Sequence, residues 1–303
     1  MCCTGCKNNE PVVKIGYSPI LMSSQLYVGI VKNYFEEEGI KIEISEMYSG
    51  PDIVTAIQGK SIDIGVSIVP PMILARANGA KIKSIGAATF DGISIQEHRL
   101  MLPIDSKIQT AQDLKGKKIA VVAERTSDYF CLLYYLEKNG IKKEEVEIIS
   151  VPHPDMIFAI TSKSIDAAAG VEPFITLGAM EGKIKIFDYY YPDEELAVGT
   201  FFAHEDFINA NPELVAKIAK IIEKSTAFIQ NEREFRQLLP KFNEHGIKFS
   251  ISNEVADSVS IMGFRNSLTK QDVEGVMNML FENGVLKNKF NAEDCIYTPL
   301  KYD

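Results

Sequence analysis

Tryptophan is absent from the 303 residues, histidine occurs only four times, and no run of some 18 apolar residues exists to cross a bilayer as a helix. So few histidines leave little general-base chemistry, and no Ser-His-Asp order, His-Glu-x-x-His pair or phosphate-cradling glycine loop appears. Basic charge is also short: 32 Lys and Arg stand against 41 Asp and Glu, a formal charge of −9. A protein that grips nucleic acid by its phosphates needs a basic stripe, so no nucleic-acid partner is expected. The five cysteines are odd in number and lopsided, with Cys2, Cys3 and Cys6 at the start and Cys131 and Cys295 alone, which excludes a disulfide framework. The length suits about two domains, each able to bury its own core.

The first half of the chain alternates β-branched runs with amphipathic stretches, the pattern of βα units around a parallel sheet. Strands are expected at 12–17, 40–46, 62–67 and 82–88, with helices over Ser24–Glu38, closed by Gly39, over 50–59 and over 70–78. After Pro103 the pattern restarts, with strands at 118–123, 145–151, 165–170 and 184–189 and helices at 127–138, 154–161 and 173–181. From Glu205 the chain turns helical: 212–231, 234–245, 253–264 and 271–283. The expected division is therefore residues 11–98 with 200–303 as one lobe and 103–196 as the other. The chain crosses between them near 98–103 and 196–203.

Four stretches carry a resemblance to a known family. They are Lys14-Ile15-Gly16-Tyr17-Ser18-Pro19 with Tyr34-Phe35-Glu36-Glu37-Glu38-Gly39-Ile40; Ala56-Ile57-Gln58-Gly59-Lys60-Ser61-Ile62-Asp63-Ile64-Gly65; Asp113-Leu114-Lys115-Gly116-Lys117-Lys118-Ile119-Ala120-Val121; and Ser164-Ile165-Asp166-Ala167-Ala168 with Glu172-Pro173. In order and spacing they resemble the substrate-binding proteins of ABC importers, in the branch that takes nitrate, sulfonates, taurine and pyrimidine precursors. The resemblance implies an α/β, two-lobed periplasmic-binding-protein-like II fold: each lobe a mixed, mostly parallel sheet flanked by helices, with a helical C-terminal block. It further implies a monomer on the extracytoplasmic face of the membrane that closes on a small solute and passes it to an ABC permease, with no catalysis, cofactor or metal. The alternative on the same fold resembles the thiamine-pyrimidine synthases, which carry a cofactor lysine and a cysteine-rich motif. Here the only cysteine cluster precedes the first strand.

Ligands of open α/β sheets sit where strands end and helices begin. Five such junctions supply the candidate ligand-binding residues: Tyr17 and Ser18; Ser49 and Gly50; Ser67 and Ile68; Arg125, Thr126 and Ser127; and Glu172 with Phe174. Phe90 and His153 join them from neighbouring strand ends. Each hydroxyl either caps its own helix or donates to a ligand. Arg125, the one cation at these junctions, is either a bidentate clamp for a carboxylate, sulfonate or phosphate or a solvated loop residue. The aromatic rings suit a flat heterocycle or aromatic acid instead, either in the core or against the ligand.

Cys2-Cys3-Thr4-Gly5-Cys6-Lys7-Asn8-Asn9 resembles the end of a lipoprotein signal, in which Cys6 carries the lipid, residues 7–11 are the tether and the apolar stretch would precede Met1. Residues 1–10 are therefore expected to be an anchor segment. A free thiol-bearing tail and a three-cysteine metal site are the competing readings.

Overall fold

The computed structural model describes residues 11–247, 249 and 251–298, and two sheets organise them. In chain order the strands are β1 (Val12–Tyr17), β2 (Lys41–Glu46), β3 (Ile64–Ile68), β4 (Ile82–Asp91), β5 (His98–Pro103), β6 (Lys118–Val121), β7 (Glu147–Ser150), β8 (Ala167–Val171), β9 (Ile184–Tyr189), β10 (Leu196–His204) and β11 (Gly263–Arg265). The first sheet has the order β11-β4-β10-β3-β1-β2 and the second β7-β6-β8-β5-β9.

Both sheets are mixed. In the first, β1 pairs parallel with β2 and β3, and β10 runs antiparallel between β3 and β4. In the second, β6 pairs parallel with β7 and β8, and β5 runs antiparallel between β8 and β9. The two antiparallel strands are the ones that receive the chain from the other sheet. The extended segments expected as crossovers, 98–103 and 196–203, are thus strands in their own right. The chain changes sheet just before each, at 92–97 and 190–195.

β3 and β8 read as near-continuous apolar runs because both their faces are covered, and all five residues of β8 are buried. One cover of the first sheet is the helix Pro212–Ile229, with Pro212 in its first turn. Its buried Val215, Ile218, Ile222, Ser225 and Ile229 recur every three or four residues and so form one stripe. That stripe packs with Leu26, Val28, Ile15 and Val66, each aliphatic side chain contributing about 1.5–3 kcal/mol by leaving water.

The helix expected over 253–264 stops at Ser258, and its last residues instead enter β11 at the edge of the first sheet. Two other expected helices are broken, each by a residue of special backbone chemistry. The segment 24–38 stops at Val31, turns at Asn33 (φ 57°) and resumes as Tyr34–Glu37. Asparagine tolerates that left-handed conformation, so the chain re-aims there. Gly39 (φ 68°) then ends the unit as expected. Glu232–Leu238 tightens into a 3-10 segment, Leu239–His245, where Pro240 lacks the N–H that an α-helix needs. Cys131 and Cys295 are buried and free, and Cys6 lies outside the described residues. No described helix is long and apolar enough to cross a membrane.

Candidate functional site

The carboxyl ends of β1, β3, β6 and β8, and the turns after β2 and β7, face one another across a cleft between the two sheets. It encloses about 580 Å³ of free space, part of it open to solvent. From the first sheet and its connections come Ser18, Pro19, Ile20, Tyr48, Gly50, Ile68, Val198 and Met262. From the second come Glu97, His98, Val122, Thr126, Asp128, His153, Pro154, Val171 and Phe174.

Gly50 opens the helix Gly50–Gln58 beside the end of β3. A Cβ there would fall 2.9 Å from Ile68 Cγ1 and 3.0 Å from Pro71 Cγ, so the close approach requires glycine. Thr126 caps the helix Ser127–Lys138, its hydroxyl accepting from Tyr129 N and donating to Ala123 O. That cap sets Asp128 in the first turn, pointing into the cleft.

The charges that line the cleft come from the second sheet and its connections, and they are tied to Asp91 at the end of β4. His98, at the start of β5, holds Nδ1 2.8 Å from Asp91 Oδ2 and 2.9 Å from Glu97 Oε2, and Nε2 3.6 Å from Asp128 Oδ1. It stacks on Tyr191, ring centroids 3.9 Å apart, and the Tyr191 hydroxyl donates to Asp128 Oδ1. On the other side of Asp128, His153 Nε2 lies 3.5 Å from Oδ2. His153 is nearly parallel to Phe174, at 6.1 Å.

All of these groups are buried. Burial alone would lower the His98 pKa, but Glu97 and Asp91 beside it raise it well above the usual imidazole value. His98 is therefore the imidazolium of the site. Burial pushes the Glu97 carboxyl up to about 7, with His98 pulling against it. His153 goes the opposite way: burial lowers its pKa and the Asp128 charge only partly opposes that. It is a neutral imidazole whose Nε2–H faces Asp128, which leaves Nδ1 as an acceptor. That Nδ1 is buried without a hydrogen-bond partner.

Asp91, Glu97 and His98 bring ligand atoms within 4.8 Å of one another. Their geometry is that of an internal ion cluster, because the Asp91 oxygens already accept from the backbone N–H groups of Gly92, Glu97 and His98 as well as from the His98 ring.

Of the residues expected from sequence, Ser18, Gly50, Ile68, Thr126, His153 and Phe174 line the cleft. The others do not. Tyr17 is core, edge-on to Tyr27, and Phe90 is core beneath the Arg265 guanidinium. Ser49 precedes its helix without a side-chain cap. Ser67 and Ser127 are buried beside the cleft, neither hydroxyl meeting a partner. Glu172 turns inward: burial raises its pKa, and it accepts from Thr176 N, Thr176 Oγ1 and Ser260 N, while its own N–H donates to Glu97. Arg125 is exposed, holds φ 63° and lies outside the cleft lining. No lysine or arginine lines the cleft among the described residues. Sequence reasoning missed Glu97, His98 and Asp128. Asp128 stood within a recognised junction, and a carboxylate in a first turn that follows a capping threonine was the available signal.

Two mixed sheets with a cleft at their facing strand ends define the two-lobed fold of ABC-importer solute-binding proteins. The family profile described as NMT1/THI5 like matches residues 22–234, more than two thirds of the chain, and the chain belongs to that family. It is similar to a Brucella abortus chain named as a binding protein without a stated ligand, 26% identical over 303 residues, 95% of this chain and 90% of the relative. It is also similar to the 4-amino-5-hydroxymethyl-2-methylpyrimidine phosphate synthase of Saccharomyces cerevisiae, 23% identical over 250 residues, 76% of this chain and 71% of the relative. Among solved structures, the alkanesulfonate-binding protein of Xanthomonas axonopodis pv. citri, bound to MOPS, superposes with a TM-score of 0.77 at 18% identity, covering 94% of this chain and 98% of that one.

Proposed function

We propose that the protein is the extracytoplasmic solute-binding component of an ABC importer, taking one small anionic or heteroaromatic solute per chain without chemical change and presenting it to a membrane permease. The observation that carries this is the cleft itself, whose lining comes from both sheets. A solute seated there bridges the two, so binding and closure are one equilibrium. The moving bodies are the two sheets with their helices, residues 11–91 with the chain from 196 onward and residues 98–189, bending at the two passages between sheets, and the protein acts as a monomer. Ser18, Gly50 and Ile68 meet the solute from one side, and Thr126, His153 and Phe174 from the other.

Cys6 carries a lipid, with Gly5 before it and the polar Lys7-Asn8-Asn9 after it as tether. Protein secreted with a lipoprotein leader partitions with membranes, and Cys6→Ser releases it.

The yeast relative keeps an enzyme in view. A pyridoxal-dependent synthase needs a lysine at the site, and the cleft offers none among the described residues, so the residues present do not fit that cofactor. One experiment separates the readings: purified protein releases a small molecule on denaturation, gains thermal stability when it is added back, and shows no pyridoxal absorbance. A pyridoxal band reducible onto a lysine would overturn the receptor.

A further inference from the structure

We infer that the cleft selects a flat nitrogen-bearing solute, neutral or cationic, that donates N–H hydrogen bonds, and that it rejects oxyanions. The inference rests on the cleft being the solute site.

Helix starts normally attract oxyanions because their first N–H groups are unpaired. Here proline removes part of that donor set. Pro51 stands in the first turn of Gly50–Gln58, Pro70 and Pro71 in that of Val69–Ala77, and Pro154 in that of His153–Thr161. Pro173 directly precedes Phe174–Met180. The helix without proline, Ser127–Lys138, carries Asp128 in its first turn, so its positive end already faces a carboxylate.

The side chains complete the case. An oxyanion would sit against the Glu97 and Asp128 carboxylates with no lysine or arginine to offset them among the described lining residues. The one cation, His98, is enclosed by carboxylates, with Nδ1 2.8 Å from Asp91 and 2.9 Å from Glu97 and Nε2 3.6 Å from Asp128, so its charge is already offset. Open instead are acceptors: His153 Nδ1, buried without a hydrogen-bond partner, and Asp128 between the two histidines. An N–H donor such as an exocyclic amine, amidine or ring N–H completes them. Phe174, parallel to His153, and Tyr48 on the opposite wall supply ring faces, which is why the solute is flat.

The test uses the full chain, with calorimetric titration and thermal shift against two probe sets: cytosine, 2-aminobenzimidazole and benzamidine, and ethanesulfonate, nitrate and sulfate. Small molecules released on denaturation are identified by mass. The expected result is binding of at least one N–H donor, or release of one, and of no oxyanion. Asp128→Asn, which keeps the shape and exchanges an acceptor oxygen for a donor, then weakens that binding about tenfold or more, with circular dichroism confirming its fold. His153→Gln provides a second variant. Binding or release of an oxyanion overturns the inference and leaves the receptor standing. Wild-type affinity in both variants overturns it equally. No binding by either set and no released molecule removes the receptor reading, and this inference with it.

Discussion

The two walls of the cleft occupy equivalent positions, at strand ends and helix starts of two mixed sheets, yet they carry different chemistry. The first sheet offers Pro19, Ile20, Ile68, Val198 and Met262, with Gly50 letting the backbone close in; the second offers Glu97, His98, Asp128 and His153. Apolar area is non-directional and supplies affinity roughly in proportion to what it covers, whereas buried acceptors are directional and supply choice. The comparison teaches that the buried acceptors, and with them the selectivity, sit on one lobe while both lobes supply contact area, Val122, Val171 and Phe174 on the second included, so substitutions on the two walls are expected to fail differently.

The largest effect is expected at the charged wall. Replacing His98 by Gln leaves Asp91 and Glu97, both fully buried, without the cation that holds them. Breaking a buried ion cluster by removing one partner costs about 3–5 kcal/mol, so urea denaturation of His98→Gln is expected to show a loss of that order. The same wall gives a pH signature. His98, its pKa raised, contributes stability that is fully present below the ordinary imidazole pKa and fades as pH rises through its folded value. His153, its pKa lowered, stays neutral as pH falls through the ordinary range, and stability is lost as the unfolded imidazole gains its proton. Histidine-labelled NMR at pH 7, with the four rings assigned, is expected to show His98 as imidazolium and His153 neutral. His98 and His153 titrating together near the ordinary value would erase the contrast.

The apolar wall is expected to respond through shape. Gly50→Ala puts a Cβ within 2.9–3.0 Å of Ile68 and Pro71, and overpacking of this kind costs about 1–3 kcal/mol. Solute affinity falls with it because the wall moves. A Gly50→Ala protein of unchanged stability and affinity would show that the first sheet is a looser surface than its packing indicates.

The βα units and five junctions were readable because strand ends and helix starts are marked locally by Ser, Thr, Gly and Pro. Ser18, Gly50, Ile68, Thr126, His153 and Phe174 followed from that. The charged cluster was not readable, since its members meet only after folding: Asp91 reaches His98 around the passage between sheets, Asp128 comes from the next βα unit, and His153 from the one after. The local signal at Asp128 pointed equally to a helix-dipole contact. Nor did the sequence tell that Pro51, Pro70, Pro71 and Pro154 stand in the first turns beside the cleft, where each lacks an N–H that an anion would use. Arg125 misled for a related reason, because a residue's place in a junction does not reveal whether it lines the cleft.

Arg125 gives the smallest effect and the sharpest check on the contrast between walls. It is exposed, lies outside the cleft lining and holds φ 63°, a conformation that costs a non-glycine residue roughly 1–2 kcal/mol. Glycine adopts that φ freely but loses more backbone entropy on folding, which returns part of the gain. Arg125→Gly is therefore expected to raise stability by no more than about 1 kcal/mol. Affinity for the solute is expected to stay at the wild-type value, as it would not for Asp128→Asn. Calorimetric titration of the two variants side by side makes the comparison. If Arg125→Gly lost affinity while Asp128→Asn kept it, the second wall would be a clamp for an anion held at its rim, and the buried acceptors would serve only to hold His98 in place.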